Sequence, residues 1–172
     1  MKKILVIGSG GSGKSTFSKR LGEALGLEVI HLDRLYWKSG WVETPKPEWR
    51  VRVEELIRRD AWVMDGNYSG TLDIRLEACD TVVFLDVPRS VCLWRVLKRV
   101  ATYRRGGRAD MAEGCAEKFD LVFMRWIWTY PKQKRLKIFK LLAEKARDKT
   151  VAVLRTQAEI ESFLAACRTY FD

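Results

Sequence analysis

Gly8-Ser9-Gly10-Gly11-Ser12-Gly13-Lys14-Ser15 fits the spacing G-x-x-x-x-G-K-[ST]. Glycines let the backbone curl until successive N–H groups face one point, and a helix starting there adds its positive end. A run of phosphates is the ligand that answers to such a cradle. Lys14 is then expected to reach the β- and γ-phosphates of ATP and Ser15 to offer its hydroxyl to Mg²⁺, with Thr16 beside them. A flexible glycine turn, the plain alternative, would have no need of the lysine and serine.

Other residues could complete a phosphoryl-transfer site. Asp33 follows a short apolar run, at the strand end where ligands bind in open α/β sheets. A carboxylate there could orient or deprotonate an acceptor hydroxyl, or merely start a loop. Asp65 also closes an apolar run and has a turn-capping alternative. Arg99, Arg104, Arg105 and Arg108 cluster around a polar stretch whose closure would bring guanidinium forks over phosphoryl oxygens; a solvated charge run is the alternative. Arg104 and Arg108 lie inside that stretch and are the catalytic candidates. Trp37, Trp41 and Tyr68 flank polar and glycine residues, where they could stack on a ring. His31, the single histidine, sits between Ile30 and Leu32 and reads as a satisfied strand residue.

The elements that must position these groups follow from apolar periodicity. Ile4–Ile7, Val29–Leu32, Ala61–Met64, Thr81–Val87 and Thr150–Leu154 read as five strands buried on both faces. Helical spacing of apolar residues follows Lys14, Thr44-Pro45 or Pro47, and Pro88. Phe119 to Tyr130 forms an amphipathic pattern that Pro131 should kink or break. Thr156-x-x-Glu159 is a capping box opening the last helix. Strands alternating with helices give a parallel sheet covered on both faces, an α/β P-loop fold in one domain. Residues 103–116 form its expected lid.

Charge and cysteine use bound the partners. Residues 91–172 carry 18 Lys/Arg against 9 Asp/Glu, nearly all of the net charge of +10, which suits an anionic partner, nucleotide phosphates or nucleic acid. Four scattered cysteines show no metal or disulfide spacing and point to a reducing compartment. The apolar run after Lys2-Lys3 is too short for a signal peptide, and no run approaches a membrane span. A cytoplasmic protein is expected.

The P-loop, Val63-Met64-Asp65-Gly66-Asn67-Tyr68, and Val82–Pro88 followed by Leu97-Lys98-Arg99 resemble adenylate kinases and their relatives. His31–Trp37 with Gly40-Trp41, then Asp65–Tyr68 and Met111–Cys115, more particularly resemble the bacterial DNA topology modulation proteins, which are adenylate-kinase-related. The resemblance spans nearly the whole chain and implies a five-stranded parallel sheet, an ATP site and an arginine-bearing lid. It also implies that Asp65 reaches Mg²⁺ through water, and that Arg99 and Arg155 help hold the nucleotide, Arg155 by packing on adenine. Adenylate kinases follow their Asp-Gly pair with Phe-Pro-Arg, whose arginine holds the acceptor's phosphate. Here Asn67-Tyr68-Ser69 follows instead; Arg75 is a candidate replacement, or the acceptor has no phosphate there.

No Asn-Lys-x-Asp motif for guanine occurs, and the chain is short for a motor or transporter ATPase. The expected function is transfer of phosphate from ATP to a small-molecule, nucleoside or nucleotide acceptor. A nucleic-acid end is a second acceptor class. A nucleotide-sensing, nucleic-acid-binding protein is the competing reading, and the absence of a helix-turn-helix, zinc-finger or aromatic RNA-binding motif favours the kinase.

Overall fold

The computed structural model describes residues 1–102, 110–115 and 119–168. Arg104, Arg105 and Arg108, with most of the expected lid, lie outside the described residues. Parallel strands β1 (Lys3–Gly8), β2 (Val29–His31), β5 (Trp62–Asp65), β6 (Thr81–Leu85) and β7 (Thr150–Leu154) form one sheet in the order β2-β5-β1-β6-β7. The chain therefore builds to one side of β1 and crosses to the other after β5. Ligands of open parallel sheets bind at such a switch, outside the carboxyl ends of the strands.

Alternation along each strand divides the core in two. Ile4 and Val6 face Phe17 and Leu21 of α1 (Lys14–Leu25) and Ile160 and Leu164 of α8 (Gln157–Arg168). Leu5 and Ile7 face the opposite layer, where α3 (Lys46–Ile57) contributes Trp49 and Val53, α4 (Leu72–Ala78) contributes Leu76, and α7 (Leu136–Lys145) contributes Leu142. Burial on both faces explains why the central strands read as unbroken apolar runs. The capping box is present: Thr156 Oγ1 accepts from Glu159 N, and Glu159 Oε2 accepts from Thr156 N, both at 3.2 Å.

Several boundaries differ from the sequence expectation. The second strand ends at His31, and Leu32 opens the short helix α2 (Leu32–Tyr36). A hairpin follows, β3 (Trp37–Lys38) paired antiparallel with β4 (Val42–Glu43). The third strand of the sheet runs one residue later than expected, to Asp65, and the fourth stops at Leu85. After α5 (Arg89–Thr102), helix α6 (Leu121–Tyr130) starts behind Asp120, whose carboxylate accepts from Val122 N and Phe123 N at 2.8 and 3.1 Å. Pro131 does not break the helix. The path continues as a π turn, Pro131–Arg135, into α7. Widening the turn accommodates a ring that would otherwise crowd the preceding carbonyl and a nitrogen that cannot donate.

All four cysteines are buried free thiols. Among the described residues no helix is long and apolar enough to cross a membrane.

Gly22 marks the closest approach of α1 to β2: a Cβ there would lie 2.3 Å from Val29 Cγ2 and 2.9 Å from the Leu27 carbonyl oxygen. Alanine ordinarily favours a helix by up to ~1 kcal/mol over glycine, but overpacking costs about 1–3 kcal/mol. Gly22→Ala is therefore expected to destabilise the protein by about 1 kcal/mol, read as a lowered urea midpoint with an unchanged slope. A raised midpoint would show that this contact yields freely.

Candidate active site

The loop between β1 and α1 lies at the sheet's switch point. At Gly11, with φ +75°, a Cβ would sit 2.3 Å from the Cys92 carbonyl oxygen, so α5 closes on a bare backbone. Ser12 N donates to Ser9 O at 3.2 Å, and Arg95 of α5 braces the loop by donating from Nη1 to Ser12 O at 3.0 Å. Gly13 caps α1, whose first turn carries no acidic residue, so the helix's positive end is not neutralised there. Lys14, partly buried, donates from Nζ to Ser9 O at 3.0 Å. Burial lowers the pKa of this ammonium, against the opposing pull of Asp33 and Asp65. A half-desolvated cation, a bare backbone cradle and an unneutralised helix end together fit a polyphosphate.

The neighbouring loop after β5 is tied to this cradle. Asn67 Oδ1 accepts from Gly8 N at 3.1 Å, and Nδ2 donates to Gly8 O at 2.6 Å. The side-chain amide thus pairs with the end of β1 as another strand would. Beneath it Arg75 is wholly buried. Its guanidinium donates from Nε to Thr71 O at 3.2 Å, from Nη1 to Gly66 O at 2.8 Å, and from Nη2 to Asn67 O and Tyr68 O at 2.8 and 3.0 Å. Burial brings its pKa down to about 10, which still leaves it charged at neutral pH. The expectation that Arg75 might hold an acceptor's phosphate fails on this geometry, because its fork serves the loop's own carbonyls.

That loop delivers Tyr68 to Asp33. Tyr68 OH donates to Asp33 Oδ1 at 2.6 Å. Burial first, then the charge of Asp33, pushes the phenol pKa well above its ordinary value, so it remains the donor. The Tyr68 ring packs 4.6 Å from Tyr36 and 5.1 Å from Trp49, between centroids, which fixes its direction. Asp65, 2% exposed, accepts from His31 Nδ1 at 3.0 Å. Burial resists charge on this histidine, but the hydrogen bond and charge of Asp65, with Asp110 and Asp33, outweigh it and raise its pKa.

A cleft of about 1490 Å³ runs from the P-loop to the hairpin. The structure brings Gly10, Gly11, Gly13, Lys14, Ser15 and Thr16 into it together with Asp33 and Arg99. Trp37 and Trp41 line it at the hairpin, packed edge to face at 5.4 Å, and Trp126 of α6 lines it too. Arg155, expected to pack on adenine, does not line this cleft; its Nε donates to Asp86 Oδ2 at 3.2 Å. Arg135 takes the same carboxylate with two bonds, 2.7 and 2.8 Å. Asp86 has thereby drawn Arg155 into a three-residue ion cluster.

Sequence reasoning missed Asn67, Arg95 and Glu43 as cleft residues. Only the strand register could have singled out Asn67: Val6 pairs with Asp65, so Gly8 comes beside Asn67 two residues on. Arg95 lies one helical turn from Arg99 and resembles any other surface arginine in the sequence.

No protein-family model matches this chain, and no curated protein matches its sequence. Among solved structures, shikimate kinase from Acinetobacter baumannii in complex with shikimate is similar, with a TM-score of 0.55 and 19% identity over 96% of this chain and 90% of that one. At that identity the likeness shows the fold. The five-stranded parallel sheet flanked by helices is the P-loop fold of that kinase.

Removing the Arg75 fork strands several buried carbonyls at once. Arg75→Met is expected to cost about 3 kcal/mol or more in urea denaturation. Arg75→Lys should recover little, because a single ammonium cannot span the same carbonyls. Full stability in Arg75→Met would show that the loop holds itself.

The His31–Asp65 pair predicts a pH dependence. A raised histidine pKa adds stability that is fully present below about 6.5, the unfolded value, and is lost as pH rises through the higher folded value. The stability gap between wild type and His31→Gln should accordingly be widest in acid and narrow towards alkaline pH. A gap that widens with pH would contradict the assignment.

Proposed function

We propose that this chain is an ATP-dependent phosphotransferase, a small kinase working as one domain that transfers the γ-phosphoryl group of ATP to an acceptor hydroxyl. The observation that carries the reading is the shared cleft: Lys14 and Asp33 line one cavity, and the charge of Asp33 is felt at the Lys14 ammonium. A phosphate cradle and a carboxylate facing one space are the two ends of a phosphoryl transfer.

In this reading the P-loop N–H groups beyond Gly8 that the loop does not use itself, those of Gly10, Gly11 and Gly13, and the Lys14 ammonium bind the triphosphate. Ser15, which lines the cleft, would hold Mg²⁺ with the phosphates, and the ion would neutralise charge on the phosphoryl oxygens; Asp65, expected to reach it through water, is buried against His31 and does not line the cleft. Tyr68 donates to Asp33 and holds its carboxylate in direction. The acceptor oxygen forms its bond to the γ-phosphorus, the bond from that phosphorus to the β,γ-bridging oxygen breaks, and the acceptor proton passes to Asp33. Arg99, and Arg104 and Arg108 from the lid, would act on the developing charge.

The resemblance to adenylate-kinase-related DNA topology modulation proteins supports the ATP site and lid of this assignment, and the four free cysteines suit a cytoplasmic setting. Lys14→Ala is expected to weaken Mg-ATP binding by calorimetry at least tenfold in a protein whose melting is unchanged. Asp33→Asn is expected to cut acceptor-dependent turnover by roughly 10²–10⁴ while ATP affinity stays within about twofold. Unchanged ATP affinity in folded Lys14→Ala would overturn the reading.

A further inference from the structure

Helix α6 rests directly on the phosphate loop. A Cβ at Gly10 would lie 2.5 Å from Phe123 Cζ and 3.4 Å from Ile127 Cδ1, so loop and helix meet with nothing between them. Tyr130, the last residue of this helix before the π turn, is 4% exposed. Its ring packs edge to face on that of Trp126, 5.2 Å between centroids, and Trp126 lines the cleft. One helix therefore touches the P-loop on one side and forms cleft wall on another.

Two hydroxyls are buried at this junction. Neither Tyr130 OH nor Ser9 Oγ has an oxygen or nitrogen partner among the described residues, and the Cys92 thiol beside Ser9 is a weak one. Leaving a buried hydroxyl unmet is costly. Both residues line one small cavity, with about 10 Å³ open to the centre of a water molecule, which is room for a single water. Asp86 lines it as well. Its carboxylate takes two bonds from Arg135 and one from Arg155, which leaves a lone pair for a further donor. Burial first, then the charges of Asp86 and Cys92, push the Tyr130 phenol above its ordinary pKa, so it stays a donor.

We propose that one water molecule bridges Tyr130 OH and Ser9 Oγ in this cavity, which makes Tyr130 a positioning residue of the phosphate loop. The inference rests on the nucleotide-binding part of the phosphotransferase reading and adds to it a residue outside the cleft. The phenol donates to the water, the water donates to Ser9 Oγ, and its second proton is left for the Asp86 carboxylate. Ser9 is the residue worth holding. Its carbonyl accepts from Lys14 Nζ at 3.0 Å and from Ser12 N at 3.2 Å. Pinning its side chain from behind fixes the peptide on which Lys14 rests. The loop then keeps its shape before phosphates arrive, and binding need not order it.

The test is a double-mutant cycle on the whole protein. Tyr130→Phe removes one hydroxyl and keeps the ring; Ser9→Ala removes the other. Without the bridge, each change deletes an unmet buried group, and stability should hold or rise. With it, each should lower the urea midpoint by about 0.5 M at unchanged slope. The double variant should fall no further than the weaker single, because both changes break one link. Mg-ATP binding by calorimetry should follow the same pattern, about three- to tenfold weaker in each single and no weaker in the double. Leu142→Val, which loosens the core under α7 away from the loop, should lower the midpoint and leave that Kd within about twofold. A raised or unchanged midpoint in Tyr130→Phe, effects of the two changes that simply add, or an unchanged Mg-ATP Kd in the singles overturns the proposal. Were the wild type itself to bind no Mg-ATP, the phosphotransferase reading would fall, and the urea cycle alone would still decide whether the water bridges the two hydroxyls.

Discussion

The guanidinium of Arg75 is buried among backbone carbonyls, and much of the candidate site hangs from it. Burying a charged group is costly unless hydrogen bonds replace its water, and this fork makes that exchange with Thr71, Gly66, Asn67 and Tyr68. In return, the loop after β5 acquires a fixed shape. Two functional placements follow from that shape. Asn67 is set to pair with both main-chain groups of Gly8, and Tyr68 is set to reach Asp33. One buried cation thus links the end of the P-loop strand to the Tyr68–Asp33 contact.

Charge is unevenly spread over the cleft. Lys14, Lys19, Arg95 and Arg99 line the P-loop side beside the start of α1, whereas the rest of the lining carries both signs, Asp33, Glu43 and Asp110 with Arg34 and His31. Arg75 stays out of it because its fork serves the Gly66 and Asn67 carbonyls; the Tyr68 carbonyl accepts also from Thr71 N and Oγ1, at 3.0 and 3.2 Å. Lys14 feels both fields: burial makes its charge costly, while Asp33 and Asp65 sustain it.

What could be read from the sequence was local in origin. Ile4–Ile7 and, within the expected Thr81–Val87, Val82–Leu85 announce strands buried on both faces because every residue is apolar. The P-loop announces itself because glycine, lysine and serine recur at a spacing set by one loop's own geometry. The Thr156–Glu159 box closes within a single turn, and it forms as read. At Pro131 the local prohibition on an ordinary helical turn was met by a π turn, an irregularity in the helix and not a break. Asn67 and Arg75 could not be read because their meaning depends on partners brought near by the parallel register of β1 and β5, and by packing under α4. Arg155 shows the same limit from the other side: its place at a strand end suggested a nucleotide contact, and Asp86, distant in sequence, claimed it.

The hairpin occupies a different place in this order. Its strands are two residues each, and it joins neither face of the main sheet; Thr44 N closes its base on Tyr36 O, and its far side meets the segment from Asp110 to Cys115. Such an element can change its residues without disturbing the Asn67–Gly8 tie or the Arg75 fork beneath. The frame of β1, β5 and their loops thus carries the P-loop and the Tyr68–Asp33 contact, while Trp37, Trp41 and Glu43 line the cleft from an element mounted outside it. The strained backbone at Trp41 fits that division, since a bulky residue at positive φ persists only where its surroundings hold it, and here it holds an indole towards the cleft. A P-loop frame with a separately mounted aromatic wall can vary the wall without altering the loop between β1 and α1.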